Sequence, residues 1–387
     1  MHSLSLATYL ALKEVWRNRG RFLLVSLVIA LITLLVLFIA ALGEGLGTNN
    51  REYLSQVDGQ LVVFQEKADF IVSASRMNQS TLRAVRRVEG VAAAGPISTS
   101  TTAILLPADE VLKVSMLGVE AGSPGTPAIV AGRSFLSATA REVIIDQRVL
   151  ERSEIKLGDV ITIRSTQGTE DEFYDLKVVG TTIGQAYLFQ PSIFVTPSVW
   201  EQVRPKAEAE LNNTIPAINV IIVRLSDPAG VEQVQQNLLN QVSNIQVADL
   251  EKTIQNIPGY SAQQGTVQTQ GFFTLLIGIL VIGGFFQIQI LQKVPQIGVL
   301  KAIGASNLVV GAAAILQIMI VTAIGVAIGG FLTFLLSLGF PPTVPITFNG
   351  TASALAIVAL LAIGPFGGLV SVFYAVKIEP LKALRLS

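Results

Sequence analysis

The pattern of apolar and polar positions divides the chain into four long apolar stretches that are very unevenly spaced. The first, at 22–42, has 21 residues and no charged side chain. As a helix it rises about 30 Å, which matches the hydrocarbon core of a bilayer. Three more occupy 271–291 and, approximately, 308–340 and 351–376, after a polar stretch of more than 220 residues. The pattern predicts one membrane span, a large soluble insert, and then three further spans.

Two of these stretches have features that predict a bend. The third is too long for a single perpendicular span, and Gly325, Gly329 and Gly330 would permit a bend or close helix packing. In the fourth, Pro365 with its neighbouring glycines predicts a kink.

The residues before the first span predict a short helix on the membrane surface. Tyr9, Leu12 and Trp16 recur at helical spacing, and basic side chains lie beside them. Such a helix suits the boundary between acyl chains and anionic head groups. The alternative is a simple positively charged flank of the span.

The distribution of Lys and Arg predicts the orientation of the spans. Of 27 basic residues, 18 fall between residues 45 and 265, and the other nine lie before the first span, between the second and third, or after the fourth. By the positive-inside rule both termini and the loop 292–307 are cytoplasmic, and the insert lies outside. The insert has 24 acidic residues against its 18 bases, which is typical of a solvated domain and not of a nucleic-acid-binding one.

The insert alternates between strand-like and helix-like segments. Its first and last parts predict two halves of a small α/β domain. The predicted strands are 60–65, 95–106, 111–119, 217–225 and 245–248, and the predicted helices are 80–88, with Ser80 as its N-cap, and 227–242. Residues 130–205 are rich in strand patterns such as EVIIDQ and SIFVTP. We therefore predict an α-helical membrane bundle with a large α+β insert, in which a β-rich domain interrupts the α/β domain.

The predicted organisation follows from these patterns. Its segments are a cytoplasmic interfacial helix at 1–21, a transmembrane helix at 22–44, the first half of the α/β domain at 45–129, the β-rich domain at 130–205, the second half of the α/β domain at 206–250, a stalk at 251–270, a transmembrane helix at 271–291, a cytoplasmic coupling loop at 292–307, a transmembrane helix at 308–340, an external loop at 341–350, a transmembrane helix at 351–376 and a cytoplasmic tail at 377–387.

The composition excludes several classes of active site. Cysteine is absent and the single histidine is His2, which excludes thiolate chemistry and argues against imidazole catalysis and multi-histidine metal sites. The phosphate-binding pattern GxxxxGK followed by Ser or Thr has no match, and neither have GxSxG and HExxH. The acidic run at 170–172 predicts a solvated loop. We expect no catalytic, cofactor or metal site in this chain, so any ATP that the system uses binds to another chain.

Three segments resemble the FtsX/MacB permease superfamily of ABC transporters, of the mechanotransmission type. LALKEVWRNRGRFLL resembles the basic elbow helix of that family, KVPQIGVLKAIGAS its coupling segment and KIEPLKALR its C-terminal tail. The coupling segment departs from the family at an acidic position, where this chain has Pro295 and Gln296. The insert resembles a β-rich Sabre domain set inside a porter domain. The start of the chain resembles haem-exporter permeases of the HrtB kind, while VDGQLVVF and VEGVAAAGPI resemble DevC-like permeases of cyanobacteria.

The resemblance implies a non-enzymatic permease subunit in the bacterial cytoplasmic membrane, which exports or extracts an amphipathic substrate, with haem as one candidate. It implies two copies of a separate ABC ATPase, which would bind ATP and Mg²⁺, and a second permease that forms a homodimer with this one. The DevC-like resemblance adds a membrane-fusion protein of the HlyD kind as a partner. The alternative, from another functional class, is an FtsX-like transmembrane switch that controls an extracellular partner without transport.

The loop 292–307 is the first candidate site, since it combines apolar and basic side chains on a short segment. An apolar face open to the cytosol calls for a partner groove, and the resemblance identifies the partner as the ATPase. The alternative is a helix that lies on its own bundle. The residues predicted to couple to the ATPase are Pro295, Ile297, Val299, Leu300, Lys301, Ile303 and Gly304, of which Pro295 would start the helix and Gly304 would cap it.

Three polar side chains in or near the spans are candidates for substrate contact. Glu44 lies at the outer end of the first span, and is either an interfacial acid that faces water or a substrate contact, including a carboxylate ligand to haem iron. Gln287 and Gln289 lie in the second span. They either form hydrogen bonds between helices or line a substrate path.

Overall fold

The computed structural model describes residues 2–210, 218–340 and 344–377. Parts of the predicted strand at 217–225, of the external loop and of the cytoplasmic tail lie outside these residues. The chain forms two compact units, which we call the helical unit (residues 1–45 and 264–387) and the sheet unit (residues 46–263). The helices are α1 (His2–Arg17), α2 (Arg19–Gln56), α3 (Gln79–Val85), α4 (Gln147–Glu151), α5 (Pro197–Val203), α6 (Val231–Gln241), α7 (Leu250–Gln255), α8 (Tyr260–Gln292), α9 (Val294–Ala302), α10 (Asn307–Ser337) and α11 (Gly350–Lys377).

Within the described residues, four helices are long and apolar enough to cross a membrane, judged by length and composition: α2, α8, α10 and α11. Glycines of α10 bring it close to α2. A Cβ on Gly325 would lie 2.6 Å from side-chain atoms of Ile29, and one on Gly329 would lie 2.5 Å from the carbonyl oxygen of Ala30. These two glycines therefore serve close helix packing. Helix α11 continues through Pro365 without interruption.

The helices of the first two predicted spans extend far beyond them. Helix α2 ends at Gln56 instead of residue 44, and α8 begins at Tyr260, inside the predicted stalk. The first part of that stalk forms the separate helix α7. Hydropathy marks only the apolar part of a helix, so it gives no signal for the polar turns of α2 at 45–56.

One predicted helix begins at a different cap. The helix expected at 80–88 is α3, and its N-cap is Asn78 instead of Ser80. The Asn78 side-chain oxygen accepts a hydrogen bond from the N–H of Thr81 at 3.0 Å. Asn and Ser are about equally good caps, so residue preference alone does not decide between the two positions.

The strands of the sheet unit are β1 (Leu61–Gln65), β2 (Val91–Leu105), β3 (Val111–Val119), β4 (Ala131–Gly132), β5 (Glu142–Asp146), β6 (Val160–Gln167), β7 (Glu170–Thr182), β8 (Ser192–Val195), β9 (Val220–Leu225) and β10 (Ile245–Asp249). In the described residues they form one sheet of order β10-β1-β9-β2-β3-β8-β5-β7-β4, with β6 paired to β2 and β7. The pairs β3–β8 and β5–β7 are parallel. Strands from all three predicted segments of the insert join this sheet, so the division into an α/β domain and an inserted β-rich domain stays a prediction.

The sheet is buried on both faces. In β1, Val62 and Phe64 belong to a core on one face, while Leu61 and Val63 belong to a core on the other. This alternation is the two-residue period of a strand. The first face carries a single core, which includes Tyr53 from the last turns of α2. The opposite face carries two cores, one with α3 and α6 and one with α4 and α5.

Candidate functional site

Helix α9 occupies the middle of the predicted coupling loop. Pro295 lies in its first turn, where a missing N–H breaks no helical hydrogen bond. At the other end Gly304 has a φ of 101°, and its N–H donates to the carbonyl oxygen of Lys301 at 3.1 Å. The N–H of Ala305 donates to the carbonyl oxygen of Leu300 at 3.0 Å. This is a Schellman motif, and glycine adopts its positive φ without strain.

The apolar residues around α9 divide into two sets. Ile297 and Leu300 pack against a small core of the helical unit whose members come from α8, α10 and α11, namely Ile290, Val310 and Ala375. By contrast, Val299 and Ile303 are 48% and 79% exposed. Ile297 and Leu300, the inward set, lie on the chain's own bundle. Val299 and Ile303, the outward set, are exposed. The two alternatives for this segment therefore apply to different residues.

Both ends of α9 are attached to neighbouring helices. At its start, Lys293 Nζ lies 2.5 Å from a carboxylate oxygen of Glu14 in α1. At its end, Lys301 Nζ donates a hydrogen bond of 2.6 Å to the carbonyl oxygen of Val376, in the last turn of α11. A cation there also interacts favourably with the negative end of the α11 dipole. Lys301 thus has a structural partner within the chain, and its predicted role in coupling stays a prediction.

Glu44 lies in a closely packed corner of the helical unit. A Cβ on the adjacent Gly45 would lie 1.9 Å from the carbonyl oxygen of Pro345. The missing side chain therefore lets the backbone of the loop between α10 and α11 approach α2. The carboxamide nitrogen of Asn349 donates a hydrogen bond of 3.3 Å to the Glu44 carboxylate. The pairing fixes one carboxylate oxygen, and contact with a substrate stays a prediction.

The two glutamines of α8 have different surroundings. Gln289 is 5% exposed and lines a cavity of about 480 Å³ in the helical unit, between α1, α8, α9, α10 and α11. Gln317 of α10 lines the same cavity. The buried Oε1 of Gln287 accepts no hydrogen bond from any described residue. Hydrogen bonding between helices and contact with a substrate both stay predictions for Gln287 and Gln289.

Sequence reasoning missed a polar clasp that holds the last turns of α2 within the sheet unit; we call it the α2 clasp. Glu52 forms a salt bridge with Arg148, and its carboxylate accepts a hydrogen bond from the N–H of Ala186 at 3.1 Å. Asp146 accepts hydrogen bonds from the N–H groups of Arg148 and Gln185 at 2.8 and 2.7 Å. Glu52 and Arg148 are 96 residues apart in the chain, so no local pattern indicates the pair.

Burial raises the pKa of two groups in or beside this clasp, Asp146 and Tyr53. Desolvation raises the pKa of Asp146, although two N–H groups and the Arg148 guanidinium favour its charged form. Burial also raises the pKa of Tyr53 well above its ordinary value. The protonated Tyr53 hydroxyl donates to the carbonyl oxygen of Gly125 at 2.8 Å. Tyr53 therefore remains a donor across the physiological pH range and anchors α2 in the core.

No cluster of three or more metal-ligating side chains occurs in the parts of the chain that the structure describes. The acidic run at 170–172, which was expected in a loop, instead forms the exposed start of β7. There Asp171 accepts a hydrogen bond from Thr166 at 2.9 Å, and Glu172 accepts one from Tyr174 at 2.5 Å. These acids have ordinary partners on a strand surface.

Comparison with known proteins gives two family matches. The model of the MacB-like periplasmic core domain matches residues 22–241, and that of the FtsX-like permease C-terminal region matches residues 270–380. The first match alone spans more than half of the chain.

Individual relatives match at low identity over nearly the whole length. A protein of Staphylococcus haemolyticus, named as a candidate hemin transport system permease protein HrtB, is 24% identical over 97% of this chain and 98% of its own. An uncharacterized ABC transporter permease of Mycobacterium bovis is 24% identical over 94% of each chain. Among solved structures, the extracellular domain of the noncanonic ABC-type transporter YknZ from Gram-positive bacteria has 12% identity and a TM-score of 0.36, over 49% of this chain and 99% of that domain.

Proposed function

We propose that this chain, which belongs to the FtsX-like permeases with a MacB-like periplasmic core domain, is the membrane subunit of an ABC transporter. The joint match of both family models carries the proposal, and the four long apolar helices agree with it. In this role the chain does not hydrolyse ATP. It acts as a homodimer with two copies of a separate ATPase, in the bacterial cytoplasmic membrane with both termini inside.

The proposed substrate is an amphipathic molecule that is exported or extracted from the outer leaflet. One relative is named for hemin transport, and hemin combines an apolar ring with carboxylate groups. Glu44 is the proposed contact from this chain, because it places a half-buried carboxylate at the outer end of the first predicted span. A membrane-fusion protein remains a proposed further partner.

The proposed docking point for the ATPase is the exposed part of α9 together with its C-cap residue, Ile303. Val299 and Ile303 present apolar surface, while Ile297 and Leu300 hold the helix against the bundle. An exposed apolar patch on a short, well-capped helix suits insertion into a groove of a partner. A displacement that the ATPase applies to Val299 and Ile303 would then pass through Ile297 and Leu300 to the bundle.

The proposed route of force to the outside uses α2 and α8. Each begins or ends within the sheet unit, since α2 continues to Gln56 and α8 begins at Tyr260. Tyr53 and Leu54 are buried in the sheet core, and the α2 clasp adds a salt bridge. A packed interface with a few discrete arrangements can convert a small helix tilt into a change of state.

The topology is tested with single cysteines, which is straightforward because the chain has none. Thr169 and Ala302 are both exposed. We expect a cysteine at Thr169 to react with a membrane-impermeant maleimide in intact cells, with any outer membrane permeabilised, and one at Ala302 to react only after lysis. The reverse pattern would refute the orientation.

Force transmission is tested by inserting Gly-Gly after Thr266, within α8. We expect ATP hydrolysis to persist and substrate transport per ATP to fall, because two glycines interrupt the helix. The control is the same insertion after Gly168, at the β6–β7 turn. If the α8 insertion leaves transport per ATP unchanged, the helix acts only as a tether.

The rival function, a signalling switch without transport, is separated by reconstitution. Liposomes that contain the permease and its ATPase are loaded with a fluorescent amphiphile or with hemin, and ATP-dependent loss of the compound is followed. We expect loss with ATP and none with a non-hydrolysable analogue. ATP hydrolysis without movement of any tested amphiphile would favour the switch.

A further inference from the structure

We propose that the cavity between α1, α8, α9, α10 and α11 is a binding site for one anionic phospholipid of the cytoplasmic leaflet. This goes beyond the proposed function and rests on it for the placement and the orientation of the long helices in a bilayer. The proposal is carried by the size of the cavity, an unpartnered buried donor in its wall, and the excess of cations at its rim.

The cavity has the dimensions and the lining of a ligand site. Its volume of about 480 Å³ falls within the range of small-molecule pockets, roughly 300–1,000 Å³. Most of its wall is apolar, with contributions from Phe286, Ile290, Ile318 and the small side chains of Ala313 and Ala314. An acyl chain or the glycerol region of a lipid would replace the water that such a wall disfavours.

Two buried glutamines place polar groups inside this apolar wall. Gln317 is 6% exposed, and its Nε2 donates to no described residue. Gln289 is equally buried and lines the same cavity. An amide donor buried without a partner destabilises the protein, because it loses its hydrogen bond to water and gains none in return. A ligand with carbonyl oxygens, such as the ester groups of a phospholipid, would accept from Gln317 and remove this penalty.

The rim of the cavity attracts an anion. Among the residues that the structure describes, three cations line it, Lys13, Arg17 and Lys293, against one acid, Glu14. Glu14 is engaged by Lys293 at 2.5 Å, and Lys13 Nζ donates to the Tyr9 hydroxyl at 3.1 Å. The side chain of Arg17 is exposed and makes no ion pair with any residue that the structure describes. Its guanidinium is therefore available for a phosphate, which it binds through paired N–H groups.

The spacing of these groups favours a lipid over a small anion. Gln289 precedes Lys293 by one helical turn, so it lies about 6 Å deeper along α8. In a phospholipid the ester carbonyls likewise lie deeper in the membrane than the phosphate. Free inorganic phosphate would use only the rim and leave Gln317 unpartnered. A neutral or zwitterionic lipid would not balance the positive charge at the rim.

The test uses the full-length purified chain in neutral detergent, without the ATPase, so that it does not depend on the coupling proposal. Native mass spectrometry measures the affinity of added phosphatidylglycerol, with phosphatidylcholine and inorganic phosphate as the other probes. The variants are Arg17→Ala at the rim, Gln317→Leu in the wall and Ala314→Leu to fill the cavity. The matched control is Arg19→Ala, because Arg19 is an exposed basic residue near Arg17 that does not line the cavity.

We expect one tightly held phosphatidylglycerol per chain, with weaker binding of phosphatidylcholine and no displacement by millimolar phosphate. Arg17→Ala should weaken binding about fivefold, the equivalent of about 1 kcal/mol for one cation at a membrane surface, and Arg19→Ala should leave it unchanged. Ala314→Leu should abolish the tight site. Gln317→Leu should weaken lipid binding while raising the melting temperature of the lipid-free protein, which a purely structural glutamine would not do.

Three results would overturn the proposal. They are equal affinity for the two lipids, equal loss in the Arg17 and Arg19 variants, and displacement of the lipid by inorganic phosphate, which would indicate a small-anion site. If Ala314→Leu does not yield a monodisperse protein, Arg17→Ala and Gln317→Leu decide the outcome.

Discussion

Replacing Ile303 with alanine tests where the ATPase binds. Complete burial of an isoleucine side chain contributes about 1.5–3 kcal/mol. Ile303 is 79% exposed in the chain, so most of that contribution is still available to a partner. We expect Ile303→Ala to weaken docking by about 2 kcal/mol, which is about 30-fold in Kd. The thermal stability of the permease should not change, because the side chain makes little contact within its own chain.

The assay titrates the partner ATPase onto full-length permease in nanodiscs and measures Kd and melting temperature on the same samples. The matched variant is Leu300→Ala, one turn away on the inward set. Leu300 packs against the core of Ile290, Val310 and Ala375, so its truncation should lower stability by about 1–2 kcal/mol. Its effect on docking should be the smaller of the two.

Docking through Ile303 is refuted if the two variants exchange their effects. An Ile303→Ala permease that binds the ATPase with unchanged Kd, beside a Leu300→Ala permease that loses affinity at unchanged stability, would place the partner on the inward set. If both variants lose both thermal stability and affinity for the ATPase, then the packing of α9 on the bundle and its binding to the ATPase cannot be separated.

Three further predictions follow from the described contacts. Glu52→Gln should weaken the α2 clasp by about 2 kcal/mol, seen as faster amide hydrogen exchange at Ala186, and unchanged exchange there would contradict the clasp. Gly45→Ala should destabilise the chain by about 1–3 kcal/mol, because its Cβ would meet a backbone carbonyl at 1.9 Å; Gly271→Ala, where nothing lies within 4 Å, is the control for the melting temperature. The pKa of Glu142 is lowered, chiefly by its hydrogen bond from an arginine, so its stabilising effect is complete above the ordinary glutamate pKa and is lost as pH falls through the lowered value. The melting-temperature gap between wild type and Glu142→Gln should therefore shrink in acid, and a constant gap would contradict this.

The long helices could be predicted because hydropathy adds along the chain. A run such as 22–42 carries its signal in every residue, and all four predicted spans coincide with long apolar helices. The polar turns that lead α2 to Gln56 carry no such signal. Their helical state depends on burial of Tyr53 and Leu54 in a core whose other members are distant in sequence.

The end of α9 could be predicted for a local reason. A glycine after an apolar helical segment is a typical C-cap, and Gly304 completes the Schellman motif as expected. Which side of α9 faces its own bundle could not be predicted, because Ile297 and Ile303 are chemically identical. Only the positions of α8, α10 and α11 distinguish them.

Sites formed by residues that are far apart in the chain could not be predicted from the sequence. The Glu52–Arg148 pair joins a helix end to the short helix α4, and neither residue stands out in its own segment. Gln289 is a predicted site residue because it is polar and lies in an apolar span, whereas Gln317 is not among the predicted site residues. Their shared cavity appears only when α8 and α10 are placed side by side.

The attachment of α9 at both ends limits its degrees of freedom. A helix fixed at one end would pivot when pushed, and the displacement would be lost in its own rotation. Here Lys293 connects the start of α9 to α1, and Lys301 connects its end to α11. If the ATPase binds as proposed, a displacement applied to Ile303 would be shared by α1 and α11, and α1 would move together with the bundle.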